Sequence, residues 1–474
     1  MLTKSSKVDN QTVVETEWRT WTRFEGQCIQ GIPTFFTGGP VWAISWLPIP
    51  TLLGLQEDVS EFLAISTHLS MDKEYLIKQT YSGKNIIQIW DVKNLRSKNL
   101  RNPELAYAIV HEGGTIWCLE WCPSGCYELA SLLSERSVAD GPKRMGLLAG
   151  ACSDGCVRIY SLVFPKHLVK SNTKDPNDVQ NTENKYPLYD TKPVLVLIVH
   201  RQMYIDNKQT WHVTKISWTK EKGHNIIAGG FSNGYVGLWD LSLKSPLSKF
   251  EKDDITFLMP FRHFFAHQQV VTMVYLIPVG DKRFLATAGM DRYYKFWDLE
   301  DVSNPKNYIK KSFITDGSWL DNWFCAFITG DDALKLNRNF VYCLPIRDYT
   351  YKYYDVLPMN STSYSISANN FGNSVASGTL AGEVVAMFPH QLINLENMRK
   401  ILHQKRHTSI FSSIDVVDFQ ENEQSSGQQQ VNGDETTNSK TKNKIYTYMP
   451  STYVESEKRF GLTFRDKVGV STNI

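Results

Sequence analysis

Three short segments of the chain end in the same pair of residues, a tryptophan followed by an aspartate. The pairs are Trp90-Asp91, Trp239-Asp240 and Trp297-Asp298. Each follows an apolar, strand-like run and a tight polar turn, as in the turn that contains Asp291. Repeated units that close their third antiparallel strand in this way are typical of four-stranded propeller blades. The pattern therefore predicts an all-β chain that folds as a WD-repeat β-propeller.

Six blades can be recognised from their runs of apolar and alternating residues, and we expect seven. The first strands of the six are predicted at 41–46, 114–121, 212–218, 270–275, 323–327 and 364–368. The seventh would take strands from Ser409 to Asp418 and Ile445 to Met449, with Gln27 to Phe36 as its outer strand. Closing the ring in this way would protect the edges that an unfinished sheet exposes.

The composition along the chain predicts four regions. Residues 1–23 are expected to form a flexible N-terminal segment, and residues 24–418 the propeller with long loop insertions. Residues 419–444 are rich in Gln, Asn, Ser, Thr and Glu. Such a segment has too little apolar surface to offset the entropy of ordering, which predicts a low-complexity loop or linker. Residues 445–474 would then complete the last blade.

The overall charge and hydropathy exclude some classes of protein. Of 474 residues, 51 are Lys or Arg and 49 are Asp or Glu, so the net charge is only +2. A protein that grips DNA alone usually shows a strong basic excess, so we expect nucleic-acid contact to be local or shared with a partner. The apolar runs are strand-length, and the first twenty residues lack the apolar core of a signal peptide. We expect an intracellular protein with no membrane partner.

Two histidine–aspartate combinations admit a catalytic and a structural interpretation. His111 with Asp154, and His267 with Asp291, stand before an inner strand and in the following turn of a blade. The structural interpretation is favoured because buried polar groups must be paired. Ser153, next to Asp154, fits the same hydrogen-bond network, and the Trp-Asp pairs are also expected to have a structural role in the blades. The chain has no Gly-x-Ser-x-Gly elbow, phosphate-binding loop or His-Glu-x-x-His motif. We predict no enzyme activity, no cofactor and no small-molecule substrate.

The eight cysteines are expected to be free, buried thiols in a reducing compartment. A regular spacing of four residues also admits an interpretation as zinc ligands for three of them, Cys118, Cys122 and Cys126. Structural zinc sites use paired cysteines with a two-residue gap, and no histidine pair follows here. We therefore predict no metal site.

Two other groups of residues leave alternatives open. A set of loop cations is either solvated or contacts phosphates without reading sequence: Lys405, Arg406, Lys440, Lys442 and Lys444. Four tryptophans on inner strands are expected to pack between blades, although such rings can also form a cage for methylated lysine: Trp42, Trp46, Trp117 and Trp121.

The openings of the first two blades are more specific than the Trp-Asp endings. The segments are Phe36-Thr37-Gly38-Gly39-Pro40-Val41-Trp42-Ala43-Ile44-Ser45-Trp46-Leu47-Pro48, His111-Glu112-Gly113-Gly114-Thr115-Ile116-Trp117-Cys118-Leu119-Glu120-Trp121-Cys122-Pro123-Ser124-Gly125 and Arg144-Met145-Gly146-Leu147-Leu148-Ala149-Gly150-Ala151-Cys152-Ser153-Asp154-Gly155. They resemble the WD-repeat β subunit of transcription factor IIIC, a general factor for RNA polymerase III. The resemblance extends from about Phe24 to Phe388.

The resemblance implies a non-catalytic scaffold subunit of a nuclear, DNA-binding assembly. Its partners would be a second propeller subunit and the large subunit, and promoter DNA would be reached through the complex. That assembly recognises the internal B box and supports transcription of transfer RNA and 5S ribosomal RNA genes. Longer family members have a charged region before the propeller, so DNA contacts of that region are not transferred to this chain. Because fold does not decide function, two other scaffold roles stay open: a ubiquitin-ligase substrate receptor and a histone-tail reader.

Overall fold

The computed structural model is built almost entirely of β-strands. It describes residues 2–8, 11–17, 20–29, 32–50, 59–70, 72–97, 100–124, 126, 128, 142–168, 186–200, 211–331, 339–346, 353–359, 361–388, 409–418 and 446–451. Within these ranges the helical elements are two single turns of 3₁₀-helix, Pro165–His167 and Asp321–Trp323. The predicted all-β propeller fold is confirmed.

Six sheets of the described residues are blades, numbered here in chain order, and each is built on four or five antiparallel strands. The strands of blades 1 to 3, from the inner to the outer strand, are Val41–Trp46, Glu61–Thr67, Asn85–Lys93 and Glu104–His111; Ile116–Trp121, Arg144–Cys152, Val157–Val163 and Leu195–Leu197; Val213–Trp218, Ile226–Phe231, Tyr235–Asp240 and Arg262–Phe265. Those of blades 4 to 6 are Val271–Ile277, Phe284–Gly289, Tyr293–Asp298 and Asn307–Lys310; Phe313–Leu320, Cys325–Asp331, Asn339–Pro345 and Tyr354–Met359; Ser363–Asn369, Ser374–Thr379, Glu383–Phe388, Ser409–Asp418 and Tyr446–Ser451.

Short strands outside this pattern extend two blades. Leu188–Asp190 pairs in parallel with the outer strand of blade 1. Ile255–Leu258 pairs in parallel with the outer strand of blade 2, and Lys249–Lys252 pairs with it in turn. Both additions cover strand edges that would otherwise offer unpaired backbone groups. Two hairpins form separate two-stranded sheets, Leu2–Val8 with Gln11–Glu17 and Gly26–Ile29 with Ile32–Phe35.

The chain divides into two compact units. One comprises Trp21–Gly317 with Tyr349–Tyr351, and it contains blades 1 to 4. The other comprises Met1–Thr20, Ser318–Asp348 and Lys352–Ile474.

The inner strands of the first unit share a one-residue bulge that tightens contact with the next blade. The ladder register shifts at Trp42, Trp117, Thr214 and Thr272. A bulge turns the side chain of the extra residue out of the ladder. Thr214 Oγ1 donates a hydrogen bond to the Val271 carbonyl of blade 4 at 2.6 Å, and Thr272 Oγ1 donates to the Ile314 carbonyl of blade 5 at 3.0 Å.

Two strand assignments differ from the prediction. The inner strand of blade 5 is Phe313–Leu320, whereas the predicted range 323–327 overlaps the second strand, Cys325–Asp331. The sequence pattern missed the inner strand because Asp316 and Gly317 interrupt its apolar residues and resemble a turn. Ser409–Asp418 and Tyr446–Ser451 extend blade 6, and Gly26–Ile29 pairs with its own hairpin partner. The seventh blade and the four region boundaries stay predictions, and residues 419–444 lie outside the described part of the chain.

Candidate docking surface and blade networks

The tryptophans of the three Trp-Asp pairs are buried, and each indole N–H finds a different acceptor. Trp90 Nε1 donates to Gln88 Oε1 at 2.9 Å, and Trp239 Nε1 donates to the Ile198 carbonyl at 3.0 Å. Trp297 Nε1 donates to Thr287 Oγ1 at 2.8 Å. A buried indole N–H without an acceptor would be costly. Blades 1 and 4 supply the acceptor from a residue of their own strands, whereas Trp239 of blade 3 uses a carbonyl that follows the outer strand of blade 2.

The aspartates of the same pairs hold the turns that follow them. Asp91 forms an ion pair with Lys93 at 3.0 Å. Asp240 accepts hydrogen bonds from the amide of Asn225 at 3.0 Å and from the Ser242 backbone at 2.9 Å. Asp298 pairs with Arg283 at 2.6 Å.

His267 and Asp291 are brought together in blade 4, within a chain of four side chains. His267 Nδ1 lies 2.9 Å from Asp291 Oδ1, and His267 Nε2 lies 2.8 Å from Thr287 Oγ1. Because the Asp291 carboxylate can only accept, the proton of the neutral ring lies on His267 Nδ1, and His267 Nε2 accepts from the Thr287 hydroxyl. The same hydroxyl oxygen accepts from Trp297. Burial lowers the pKa of His267 although Asp291 opposes the shift, so the ring is neutral at physiological pH. This chain of satisfied groups joins a turn to two strands.

His111 and Asp154 are not hydrogen-bonded to each other in blade 2. Asp154 pairs instead with Arg158, whose Nη2 lies 2.5 Å from Oδ2. The position that Thr287 occupies in blade 4, four residues before the aspartate, is Gly150 here, so no hydroxyl faces the ring. His111 Nε2 has no hydrogen-bond partner among the described residues, and burial lowers its pKa to about 3, with the Arg158 charge acting in the same direction.

Ser153 is hydrogen-bonded to backbone groups and not to His111. Its hydroxyl donates to the Tyr81 carbonyl at 2.6 Å and accepts from the Thr115 backbone N–H at 2.8 Å. It thereby joins the turn of blade 2 to the segment that precedes the third strand of blade 1.

The remaining predicted groups can be placed briefly. The five loop cations lie outside the described residues: Lys405, Arg406, Lys440, Lys442 and Lys444. Among the residues that the structure does describe, no three His, Cys, Asp or Glu side chains are grouped as a metal site. Within the same ranges, no helix has the length and apolar character needed to cross a membrane.

Among the described residues of the unit that contains blades 1 to 4, one face of blade 1 has no blade packed on it, unlike the corresponding face of the next three blades. The residues two and four positions after the bulge of blades 2, 3 and 4 pack on the preceding blade, and all are at most 6% exposed: Leu119, Trp121, Ile216, Trp218, Val274 and Leu276. Their equivalents in blade 1 are Ile44, which is 56% exposed, and Trp46, which is 49% exposed. Ala43 and Leu47 of the same segment are buried against blade 2. We call Ile44 and Trp46 the uncovered face.

Further apolar side chains are exposed beside the bulge of blade 1. Trp42 is 59% exposed and lies against His68 and Trp117, with ring centroids 4.9 and 5.6 Å apart. Tyr75 completes the cluster, 5.0 Å from Trp117. Leu69, Leu76 and Ile77 are also exposed. The rings pack edge-on against one another, which does not favour the open box of rings that a methylated lysine needs.

Contact between blades is observed for Trp42 and Trp117, whose rings meet across blades 1 and 2, but the inner-strand tryptophans differ in burial. Trp121 is buried, whereas Trp42 and Trp46 are half exposed. The sequence holds no signal of this difference in exposure. Trp46 and Trp121 are the same residue, and Ile44 and Leu119 are both large aliphatic residues.

Comparisons with known proteins identify relatives that match most of the chain. No protein-family model matches it. General transcription factor 3C polypeptide 2 of Pongo abelii and its counterpart in Homo sapiens are each 29% identical over 393 residues, 82% of this chain and 41% of the relative. Transcription factor tau subunit sfc6 of Schizosaccharomyces pombe is 25% identical over 370 residues, 77% of this chain and 51% of the relative.

The chain thus spans about half the length of these relatives or less. Over most of its length the chain is a homologue of these transcription factor IIIC subunits, as the openings of its first two blades predicted.

Proposed function

We propose that the chain is a non-catalytic scaffold subunit of a nuclear transcription factor IIIC complex. In this proposal it supports assembly of the complex on the internal B box and transcription of transfer RNA and 5S ribosomal RNA genes by RNA polymerase III. The similarity to proteins named as one polypeptide or subunit of such a factor supports it. The His267–Asp291 pair also supports a scaffold, because His267 is held in a satisfied structural network.

The observation on which the proposal depends is the uncovered face of blade 1. Burying an aliphatic side chain of this size contributes about 1.5–3 kcal/mol, and a tryptophan supplies still more contact area. Aromatic anchors beside aliphatic residues are the usual centre of a protein–protein interface. We propose that the uncovered face docks a second propeller subunit of the complex, with the large subunit as a further partner.

Promoter DNA is reached through the complex in this proposal. With a net charge of +2, the chain lacks the basic excess of a protein that binds DNA alone. Affinity of the whole complex for DNA would then depend on salt through the phosphate contacts of the other subunits.

The test uses Ile44→Asp and a matched control. An aspartate desolvated in an apolar contact costs about 2 kcal/mol or more, which weakens binding about 30-fold or more. We expect Ile44→Asp to lose co-purification of the other transcription factor IIIC subunits from nuclear extract, identified by mass spectrometry. Leu247→Asp makes the same kind of change at a loop position that is 83% exposed, and it should retain them.

Two results separate the possible occupants of the uncovered face. If a partner subunit covers it, the isolated Ile44→Asp chain keeps the thermal unfolding midpoint of the unchanged chain. If another part of this chain covers it, the midpoint falls and the docking proposal fails. Retention of all subunits by Ile44→Asp, or their absence from the unchanged chain, also contradicts the proposal.

A further inference from the structure

Two cysteine thiols face each other where the inner strand of blade 2 ends. Cys122 follows Trp121 directly and is 3% exposed, whereas Cys126 is half-buried. Their sulfur atoms are 3.4 Å apart. The Ser124 hydroxyl lies between them in the chain, 3.7 Å from Cys122 Sγ and 3.9 Å from Cys126 Sγ. A pair of free thiols this close needs only small rotations about χ1 to reach bonding distance.

The environment of Cys126 favours its thiolate. When Cys126 is a thiolate it accepts the hydrogen bond from the Cys122 thiol, which lowers the pKa of Cys126 to about 6. The Ser124 hydroxyl and the nearby Arg144 and His224 act in the same direction against burial. The same hydrogen bond, together with burial, raises the pKa of Cys122. One thiol is therefore a nucleophile at neutral pH, and the other is a protonated neighbour that can resolve an oxidised form.

The other buried cysteines of the second blade contrast with this pair. Burial raises the pKa of Cys152 to about 11 and raises those of Cys118 and Cys156 as well. A thiol that stays protonated and enclosed reacts slowly. Oxidation should consequently be selective for the Cys122–Cys126 pair.

The pair also lies at the base of the insertion that separates the first two strands of blade 2. The Cys126 carbonyl accepts a hydrogen bond from Arg144 Nε at 3.1 Å, and Arg144 forms an ion pair with Glu128 at 2.7 Å. Cys126 has a φ of +35°, a conformation that costs a residue with a side chain. The base of the insertion is thus held in a defined geometry that keeps the two sulfurs together.

We propose that Cys122 and Cys126 form an oxidation site that closes to an intrachain disulfide in response to hydrogen peroxide. The Cys126 thiolate attacks one peroxide oxygen, the O–O bond breaks, and with one proton the products are a Cys126 sulfenic acid and water. Cys122 sulfur then attacks Cys126 sulfur, and the S–O bond breaks as the thiol proton leaves with hydroxide as a second water. Peroxide gains two electrons and the two thiols lose two.

The test treats the reduced full-length chain with hydrogen peroxide, blocks the remaining thiols with N-ethylmaleimide and maps the modified cysteines by mass spectrometry with fragmentation. We expect both thiols to become unavailable and to be recovered with dithiothreitol. Cys122→Ser should instead accumulate a Cys126 sulfenic acid that dimedone traps. Cys118→Ser, which removes a neighbouring cysteine of the same peptide, should form the disulfide as the unchanged chain does.

A second measurement does not depend on a variant. Alkylation of Cys126 in the reduced chain should reach half its maximal rate near pH 6, against about 8.5 for an unperturbed cysteine. Unfolding in guanidinium chloride should remove this difference. The proposal is overturned if peroxide leaves Cys122 and Cys126 open to alkylation, links either to Cys118 or to a second chain, or oxidises the native and unfolded chains alike.

Discussion

A single hydroxyl, that of Thr287, serves two buried nitrogen atoms at once. It accepts from Trp297 Nε1 and donates to His267 Nε2, both at 2.8 Å. In blade 2 the equivalent residue is Gly150, and His111 there pairs only with the Gly113 backbone N–H at 3.2 Å. In blade 2, Asp154 is paired with Arg158, and the histidine and the aspartate do not meet. The same pair of residue types is a network in one blade and two separate groups in another.

At this scale we predict that Thr287→Ala destabilises the chain by at least about 2 kcal/mol, because it leaves both buried nitrogens without their partner. Urea unfolding followed by tryptophan fluorescence measures the loss. Thr287→Ser keeps the hydroxyl and should cost less than about 1 kcal/mol. Equal losses for the two variants would mean that the methyl group, and not the hydroxyl, is what matters.

At the scale of the element, the turn between the second and third strands of blade 2 is held by an ion pair where blade 4 uses the histidine network. The side chains of Asp154 and Arg158 are 16% and 12% exposed, and the Cys156 backbone N–H donates to Asp154 Oδ1 at 3.1 Å. A charge taken out of water in this way depends on its partner. The two blades therefore close the same kind of turn by different electrostatic means.

We predict that Asp154→Asn destabilises the chain by about 3 kcal/mol, because it leaves the Arg158 charge buried and uncompensated. Chemical unfolding of the variant provides the measurement. The double variant Asp154→Asn with Arg158→Met removes the stranded charge and should recover most of the loss. If the double variant is less stable than Asp154→Asn alone, the ion pair is not the reason for the effect.

At the scale of the whole molecule, stability depends on the joints between blades as well as on the blades. Glu120 of blade 2 accepts a hydrogen bond from the Trp218 backbone N–H of blade 3 at 2.9 Å. Burial raises the pKa of Glu120 to about 8, and this hydrogen bond and Lys220 offset the rise only in part. Lys215 of blade 3 reaches Asp316 of blade 5 at 2.8 Å. Ionisable groups on inner strands thus link blade 2 to blade 3, and blade 3 to blade 5.

The Glu120 joint predicts a pH dependence of stability. Its pKa in the folded chain lies above the ordinary value of 4.5, so the folded state favours the protonated acid. This contribution is complete below pH 4.5 and is lost as the pH rises to about 8. We expect Glu120→Gln, which still accepts from Trp218, to show a flatter profile of unfolding free energy over this range and to exceed the unchanged chain at pH 8 and above. Parallel profiles would contradict the assignment.

The amino-acid sequence by itself determined the inner strands of blades 1 to 4 and the order of these blades. Alternating apolar residues and Trp-Asp endings are local signals, which a strand expresses wherever it is placed. Local signals predict a turn at Asp316-Gly317, whereas these residues lie within the inner strand of blade 5. The openings of the first two blades were specific enough to predict the relatives that the comparisons found.

Only the tertiary structure decided which equivalent residues are buried. Trp46 and Trp121 have the same place in the repeat, yet they are 49% and 3% exposed. Likewise, the sequence could not show that Asp154 pairs with Arg158 and not with His111, or that Cys122 and Cys126 approach to 3.4 Å. Burial and pairing depend on what the fold places opposite a side chain, and that neighbour comes from another blade or from across a turn. The repeat specifies a residue's own strand, whereas the surface against which it packs is specified elsewhere in the chain.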